Sequence, residues 1–227
     1  MFGYKHLDTQ DNPIDLPVGK VVCVGRNYLQ HIQELNNTVP TEPLLFIKPA
    51  TALTPLKQPI VIPKDLGACH NELEVAVLIN YPLTKASLED VKRSIWGVGL
   101  GLDLTLREVQ SALKQQGHPW ERAKAFDHSC PMSQFVNKEQ ITDLAAIEFS
   151  LHVNNALRQL GNTQNMLFSI VDLLVNISHT FTLLPGDIVM TGTPKDVAAL
   201  EPKDLLRVEL IENYHYHLVL RRHMYKF

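Results

Sequence analysis

The stretch HNELEVAVLI, residues 70–79, constrains this chain more than any other. Its second half has the apolar, β-branched character of a strand. On a strand, side chains alternate between faces, and residues two apart stand about 6–7 Å apart on the same face. His70, Glu72 and Glu74 therefore face one way, and Leu73, Val75, Val77 and Ile79 face the other, toward a core. The polar face does not continue, because Ala76 and Leu78 follow Glu74 on it. Two carboxylates thus sit at the mouth of a strand that becomes buried on both sides. Acids at a strand end are commonly just the wet edge of a sheet. Two that are held together repel each other unless a cation lies between them, and a divalent metal is the economical one.

Length and composition bound what surrounds that strand. A chain of 227 residues suits one domain, or one large domain with a small appendage, and can bury a substantial core. Hydrophobic residues make up 45%, with 11 Gly and 14 Pro, so a folded globular chain is expected rather than a disordered one. No apolar run approaches a membrane span, and the start MFGYKHLDTQ lacks an apolar signal core. The expectation is a cytoplasmic protein with no membrane partner. The net charge of -3 and a single compact basic cluster (Arg221, Arg222, His223, Lys226) argue against a nucleic-acid partner and for a small substrate. Cys23, Cys69 and Cys130 are odd in number and form no CxxC pair, so buried thiols are expected, not a disulfide framework or a zinc site.

Strand-like segments dominate the pattern. KVVCVG (20–25), EPLLFIKPATALTP, HNELEVAVLIN and GVGLGLDLTL (97–106) read as strands, and GDIVMTGTP as another that ends in a turn. IEFSLHVNNALRQLGNT predicts a hairpin turning at Asn154-Asn155, and DLLRVELIENYHYHLVLRR predicts a closing hairpin. Three helices are expected. Asn27 would cap the first, with Tyr28, Ile32 and Leu35 on one face. Thr105 and Glu108 would form a capping box for the second, which Gly117 and Pro119 would end. The third covers MLFSIVDLLVNIS. Regular alternation of strand and helix is missing, which argues against a doubly wound parallel sheet.

Further groups of residues carry chemistry, each beside a plainer reading. In GVGLGLD, Gly97, Gly99, Gly101 and Asp103 share a face. The glycines could admit another backbone, or could clear space for a ligand beside the acid. With Glu72 and Glu74, Asp103 would complete an all-oxygen set that suits Mg²⁺ or Mn²⁺ over zinc. His31 and Glu34, three apart on a helix, are either a surface pair or a carboxylate-oriented general base. Arg107 and Gln110 are either an exposed polar face or a grip on a substrate carboxylate. Thr193 belongs to TGTP (191–194), a turn that could offer N–H groups and hydroxyls to an anion.

HNELE, LDLTLREVQ, AKAFD and FTLLPGDIVMTGTP occur here in one order. Together they resemble the fumarylacetoacetate hydrolase family, most of all its short single-domain branch of acylpyruvate hydrolases and oxaloacetate decarboxylases or tautomerases. The resemblance runs from about Val21 to the C-terminus, which makes residues 1–20 an N-terminal extension and 21–227 the catalytic domain. It implies a mixed α/β, mainly β fold, with a rolled or sandwiched sheet and a few short helices, and usually a homodimer. It implies Mg²⁺ or Mn²⁺ held by Glu72, Glu74 and Asp103, with Lys124 beside the metal. Arg107, Gln110 and Thr193 would hold substrate, and His31 with Glu34 would activate water from a lid. One departure stands out. The family commonly has a residue and then Gly-Val-Gly after TGTP, whereas Lys195-Asp196-Val197-Ala198 stands here. Asp and Ala resist the positive φ that glycine accepts, so a reshaped loop is expected.

The resemblance leads to a metal-dependent enzyme acting on small 2-oxo acids. Hydrolysis of a C–C bond in acylpyruvates or similar 2,4-dioxo acids is the first expectation. The alternative on the same site is oxaloacetate decarboxylation or keto–enol tautomerisation. Two other classes share some features. A metal-dependent nuclease also uses acids and lysine, but the acidic balance counts against it. A binding module with a vestigial site would bind metal without turnover.

Overall fold

The computed structural model describes residues 3–211 and the backbone of residues 220–226. The larger sheet contains β1 (Val21–Gly25), β2 (Leu44–Lys48), β3 (Leu53–Pro55), β6 (Leu73–Ile79), β7 (Ile95–Leu102), β9 (Cys130–Met132), β10 (Val136–Asn137) and β13 (Ile188–Met190). Its order is β2-β1-β13-β6-β7-β9-β3, with β10 also pairing β7. The second sheet contains β4 (Ile60–Ile62), β11 (Glu148–Val153), β12 (Ala156–Asn162), β14 (Leu205–Ile211) and β15 (Leu220–Lys226), in the order β12-β11-β14-β15-β4. Two short strands, β5 (Cys69–His70) and β8 (Thr105–Leu106), pair with each other. The expected mixed, mainly β architecture is present, and the two sheets face each other where β11 meets β6 and β14 meets β7.

β6 lies at the centre of the larger sheet, between β13 and β7. Leu73, Val75, Val77 and Ile79 are buried in the core shared with β11, β14 and the longest helix, α5 (Ile170–Thr180). Burying those four side chains is worth roughly 6–12 kcal/mol before the entropy of ordering them is subtracted. Ala76 and Leu78 point the other way, into a second cluster covered by Tyr4, Ile14, Leu16 and Val18. Residues 3–20 therefore seal the outer face of the sheet. His6 ties this segment down, its Nε2 lying 3.0 Å from Pro17 O and 3.1 Å from Gly186 O. Gly186 has φ +87°, and a Cβ there would stand 1.8 Å from Pro17 O, so the close approach requires glycine.

The turn chemistry follows the pattern at the hairpin and at one helix end. Asn154 and Asn155 adopt φ 53° and 68°, the two left-handed residues of a tight hairpin between β11 and β12. Gly117, at φ 66°, caps α3 (Arg107–Gln116). β14 and β15 pair antiparallel as the closing hairpin requires, and its turn, 212–219, lies outside the described residues.

Two local expectations fail, one helix is unforeseen, and one open choice is decided. Asn27 does not cap α1 (Leu29–Glu34). Its buried side chain instead donates to Thr191 O and Phe168 O and accepts from the Phe168 N–H. No capping box forms at Thr105, because Glu108 reaches across to the Ala68 N–H (2.8 Å). The structure's capping box joins Ser87 and Asp90 on α2 (Leu88–Ser94), a helix the periodicity does not announce. The glycines of β7 clear no ligand space. A Cβ on Gly97 would meet Val136 O at 2.0 Å, one on Gly99 would meet Gln134 O at 2.8 Å, and one on Gly101 would meet Met190. The plainer reading, close packing of another chain segment, is the one the structure adopts.

Candidate active site

The acids meet where three local structures end. Glu74 is the second residue of β6, and Glu72 precedes it in a break between β5 and β6. The chain from His70 to Glu74 is therefore not one continuous strand. Asp103 follows β7, and its N–H donates to Glu72 O (2.8 Å), which ties the two acids together through the backbone. One ligand atom from each of Glu72, Glu74 and Asp103 lies within 4.8 Å of the others, and all three residues are buried.

Cations surround this cluster. Lys124, at the end of the short helix α4 (Glu121–Lys124), donates to Glu72 Oε2 (2.8 Å) and Asp103 Oδ2 (2.6 Å). Arg107 donates to Glu72 Oε1, and its second nitrogen to Gln110 Oε1 (2.7 Å). Burial alone would raise the Glu72 pKa, but Lys124, Arg107 and His31 outweigh it and hold the carboxyl below its usual range. Glu74 goes the other way. Burial, and then the negative charges of Asp103 and Glu72, push it well above the normal carboxylate range despite the Gly192 N–H it accepts at 2.7 Å. A buried acid beside two others, with no ion pair among the described residues, calls for a positive ion. The donor set is all oxygen, so the residues fit a hard divalent cation.

Sequence reasoning misses two residues here. Lys48, the last residue of β2, is fully buried. Its Nζ donates to Lys124 O, Ser129 O and Ser129 Oγ and lies 2.8 Å from Asp103 Oδ1. That last approach is a charge contact without hydrogen-bond alignment, so Asp103 Oδ1 keeps free acceptor capacity. A lysine closing the apolar run LLFIK is the signal that could have flagged it. Gln159, on β12, is also fully buried. It accepts from Asn71 Nδ2 (2.8 Å) and the Leu73 N–H (3.0 Å), and its Nε2 lies within bonding distance of Thr193 Oγ1, Pro194 O and Lys195 O. A single Gln in a hairpin strand carries no sequence signal.

The TGTP turn serves the protein itself. Thr191 Oγ1 donates to Val75 O (2.8 Å), and Thr193 Oγ1 to Leu73 O (2.9 Å). The anion that receives the Gly192 N–H is Glu74. Thr193 does line the cleft, but its hydroxyl hydrogen is already used within the protein. After the turn, Asp196 adopts φ 70°, the left-handed conformation that a glycine would take. Its N–H donates to Glu34 Oε1 (3.1 Å). The other oxygen of Glu34 pairs with His31 Nδ1 at 3.3 Å. His31 is buried, which lowers its pKa, although Glu72 and Glu34 pull the other way. With Nδ1 turned to Glu34, Nε2 is the nitrogen left to exchange a proton with a ligand in the cleft.

His31, Arg107, Gln110, Lys124, Thr193 and the three acids line one cleft. Glu34 stands behind His31, outside the lining.

A family profile described as fumarylacetoacetate (FAA) hydrolase C-terminal matches residues 20–215. The chain belongs to the fumarylacetoacetate hydrolase family. It is 50% identical over 206 residues to the oxaloacetate tautomerase YcgM of Escherichia coli (strain K12), a match covering 90% of this chain and 94% of the relative. A fumarylacetoacetate hydrolase family protein of Yersinia pestis CO92 superimposes with a TM-score of 0.92 at 47% identity, covering 96% of this chain and all of the other. The fumarylpyruvate hydrolase of Pseudomonas aeruginosa, solved with Mn²⁺ and pyruvate, gives a TM-score of 0.87 at 31% identity over 96% of this chain and 94% of its own. The chain is thus an enzyme of this family with oxaloacetate tautomerase homologues. Among the described residues, no helix is long and apolar enough to cross a membrane. The three cysteines are buried and free, as expected.

Proposed function

We propose that this protein catalyses keto–enol tautomerisation of oxaloacetate or a closely similar 2-oxo acid, with Mg²⁺ or Mn²⁺ held by Glu72, Glu74 and Asp103. This reverses the order of the two chemistries expected from the sequence. The tautomerase name of the 50%-identical relative favours proton transfer over hydrolysis. The observation that carries the proposal is a Glu34-oriented His31 in the same cleft as three buried acids. A divalent cation in the cluster supplies Lewis-acid stabilisation of negative charge on the 2-oxo oxygen.

The chain's own groups do the rest. His31 Nε2 takes the proton from the carbon between the two carbonyl groups, and the C–H electron pair becomes the C=C bond. The carbonyl electron pair moves to oxygen, where the Lys124 ammonium adds positive charge. The proton returns to that oxygen to complete the enol. Arg107, steadied by Gln110, holds the substrate carboxylate together with the Thr193 N–H.

Proton NMR in D₂O tests this. With Mg²⁺ and oxaloacetate, the protein should speed keto–enol exchange and deuterium entry beside the ketone. EDTA should abolish the effect. His31→Ala should abolish it too, with divalent-metal affinity unchanged by calorimetry. Acetate and pyruvate from acetylpyruvate, without faster exchange of oxaloacetate, would restore the hydrolase reading. Pyruvate from oxaloacetate without exchange would make the enzyme a decarboxylase.

A further inference from the structure

Four cationic side chains line the cleft: Arg26, Arg107, Lys114 and Lys124. Two of them are occupied, Arg107 by Glu72 and Lys124 by Glu72 and Asp103. The other two are not. Among the described residues, neither Arg26 nor Lys114 forms an ion pair with an acid. Lys114 is instead poised over the Trp120 ring, 5.2 Å from its centroid, and that ring also lines the cleft. Arg26 follows Gly25 at the end of β1 and has φ 60°, a backbone state that costs a non-glycine residue energy.

The charges support a second anion seat. Burial first, and then the like charges of Arg26, Arg107 and Lys124, lower the Lys114 pKa. Two cations kept together without a counter-ion repel each other, and a bound anion relieves this. The inner acids cannot serve, because a divalent cation, Lys124 and Arg107 together already offset their three charges and one substrate carboxylate. Arg26 and Lys114 remain for a second carboxylate.

We infer that Arg26 and Lys114 form an outer seat for the distal carboxylate of the substrate, selecting dicarboxylic 2-oxo acids over pyruvate-like acids with an uncharged end. The inference rests on the 2-oxo acid reading above and adds which end of the acid these residues recognise. The guanidinium supplies paired, directional donors, and the lysine a point charge fixed by the indole face.

The test is titration of the Mn²⁺-loaded protein with three probes, followed by calorimetry. Oxalate and pyruvate report the inner site alone. The difluoro analogue of oxaloacetate, which has no proton to lose beside the ketone, reports both seats. Arg26→Met and Lys114→Met should each weaken the diacid analogue by about tenfold or more, the loss of one charge-assisted contact. Oxalate and pyruvate affinities should stay within about twofold, the scatter expected when no contact is lost. Lys114→Arg should restore part of the diacid affinity. Equal weakening of all three probes, or no weakening of the diacid, would overturn the outer seat while leaving the 2-oxo acid reading in place. Failure of the unsubstituted protein to bind any of the three would overturn both.

Discussion

Gln159→Met tests whether one buried amide holds the site's two backbones together. The side chain keeps its length and loses its polar head. In the structure that head accepts from Asn71 Nδ2 and from the Leu73 N–H, both on fully buried residues. Each orphaned buried donor costs about 1–3 kcal/mol, so the pair costs about 2–6 kcal/mol. The Pro194 and Lys195 carbonyls also lose a donor, but Lys195 is exposed and its carbonyl can turn to water. A loss of that size is a large part of the 5–15 kcal/mol that about spans whole-domain stabilities. Urea unfolding in EDTA, followed by circular dichroism, should show a lower midpoint with an unchanged slope. Gln164→Met, on an exposed side chain nearby, should stay within about 0.5 kcal/mol of the parent. A loss below about 1 kcal/mol for Gln159→Met would refute the reasoning, because it would mean that water or a neighbour re-satisfies both donors.

Other outcomes follow from the same geometry. His6 is buried, and burial outweighs its contacts with Pro17 O, Gly186 O and Asp187 to lower its pKa below 6.5. The unfolded chain therefore binds a proton first as the pH falls. Its contribution to stability is complete above pH 6.5 and is lost below it, down to the depressed folded pKa. His6→Gln should flatten that part of the stability–pH curve measured by denaturant unfolding. Asp196→Gly should raise stability by up to about 1 kcal/mol by relieving a left-handed backbone, seen as a higher melting temperature. Gly97→Ala should cost more than Gly101→Ala. The added methyl meets the Val136 carbonyl in the first case but the movable end of Met190 in the second, where overpacking costs about 1–3 kcal/mol. Glu74→Gln should lower Mg²⁺ affinity by more than the roughly 10–100-fold typical of an outer-shell change, measured by calorimetry.

Strand pattern and spacing made much of the fold legible. The alternation in HNELEVAVLI placed Leu73, Val75, Val77 and Ile79 in the main core, where they lie. Asn154-Asn155 marked a hairpin, and Gly117 a helix end. Local signals failed where a distant partner outbid a local one. Glu108 could have bonded its own helix end but bonds Ala68, and Asn27 could have capped a helix but bridges to Thr191 and Phe168. A short polar side chain satisfies whichever backbone group tertiary packing brings to it.

The sequence by itself determined which residue types could hold a hard cation, and it placed Glu72 and Glu74 at the mouth of a buried strand and Asp103 just past the glycines of another. It also separated His31 and Glu34 onto their own short helix. Only the tertiary structure decided what those groups face. It set Lys124 between two of the acids, buried Lys48 behind Asp103, and left Arg26 and Lys114 without acidic partners among the described residues. Periodicity is a property of neighbours along the chain. Charge balance in a cleft depends on distances between segments far apart in the chain, as Glu74 and Gly192 are at 118 residues, and only packing sets those distances.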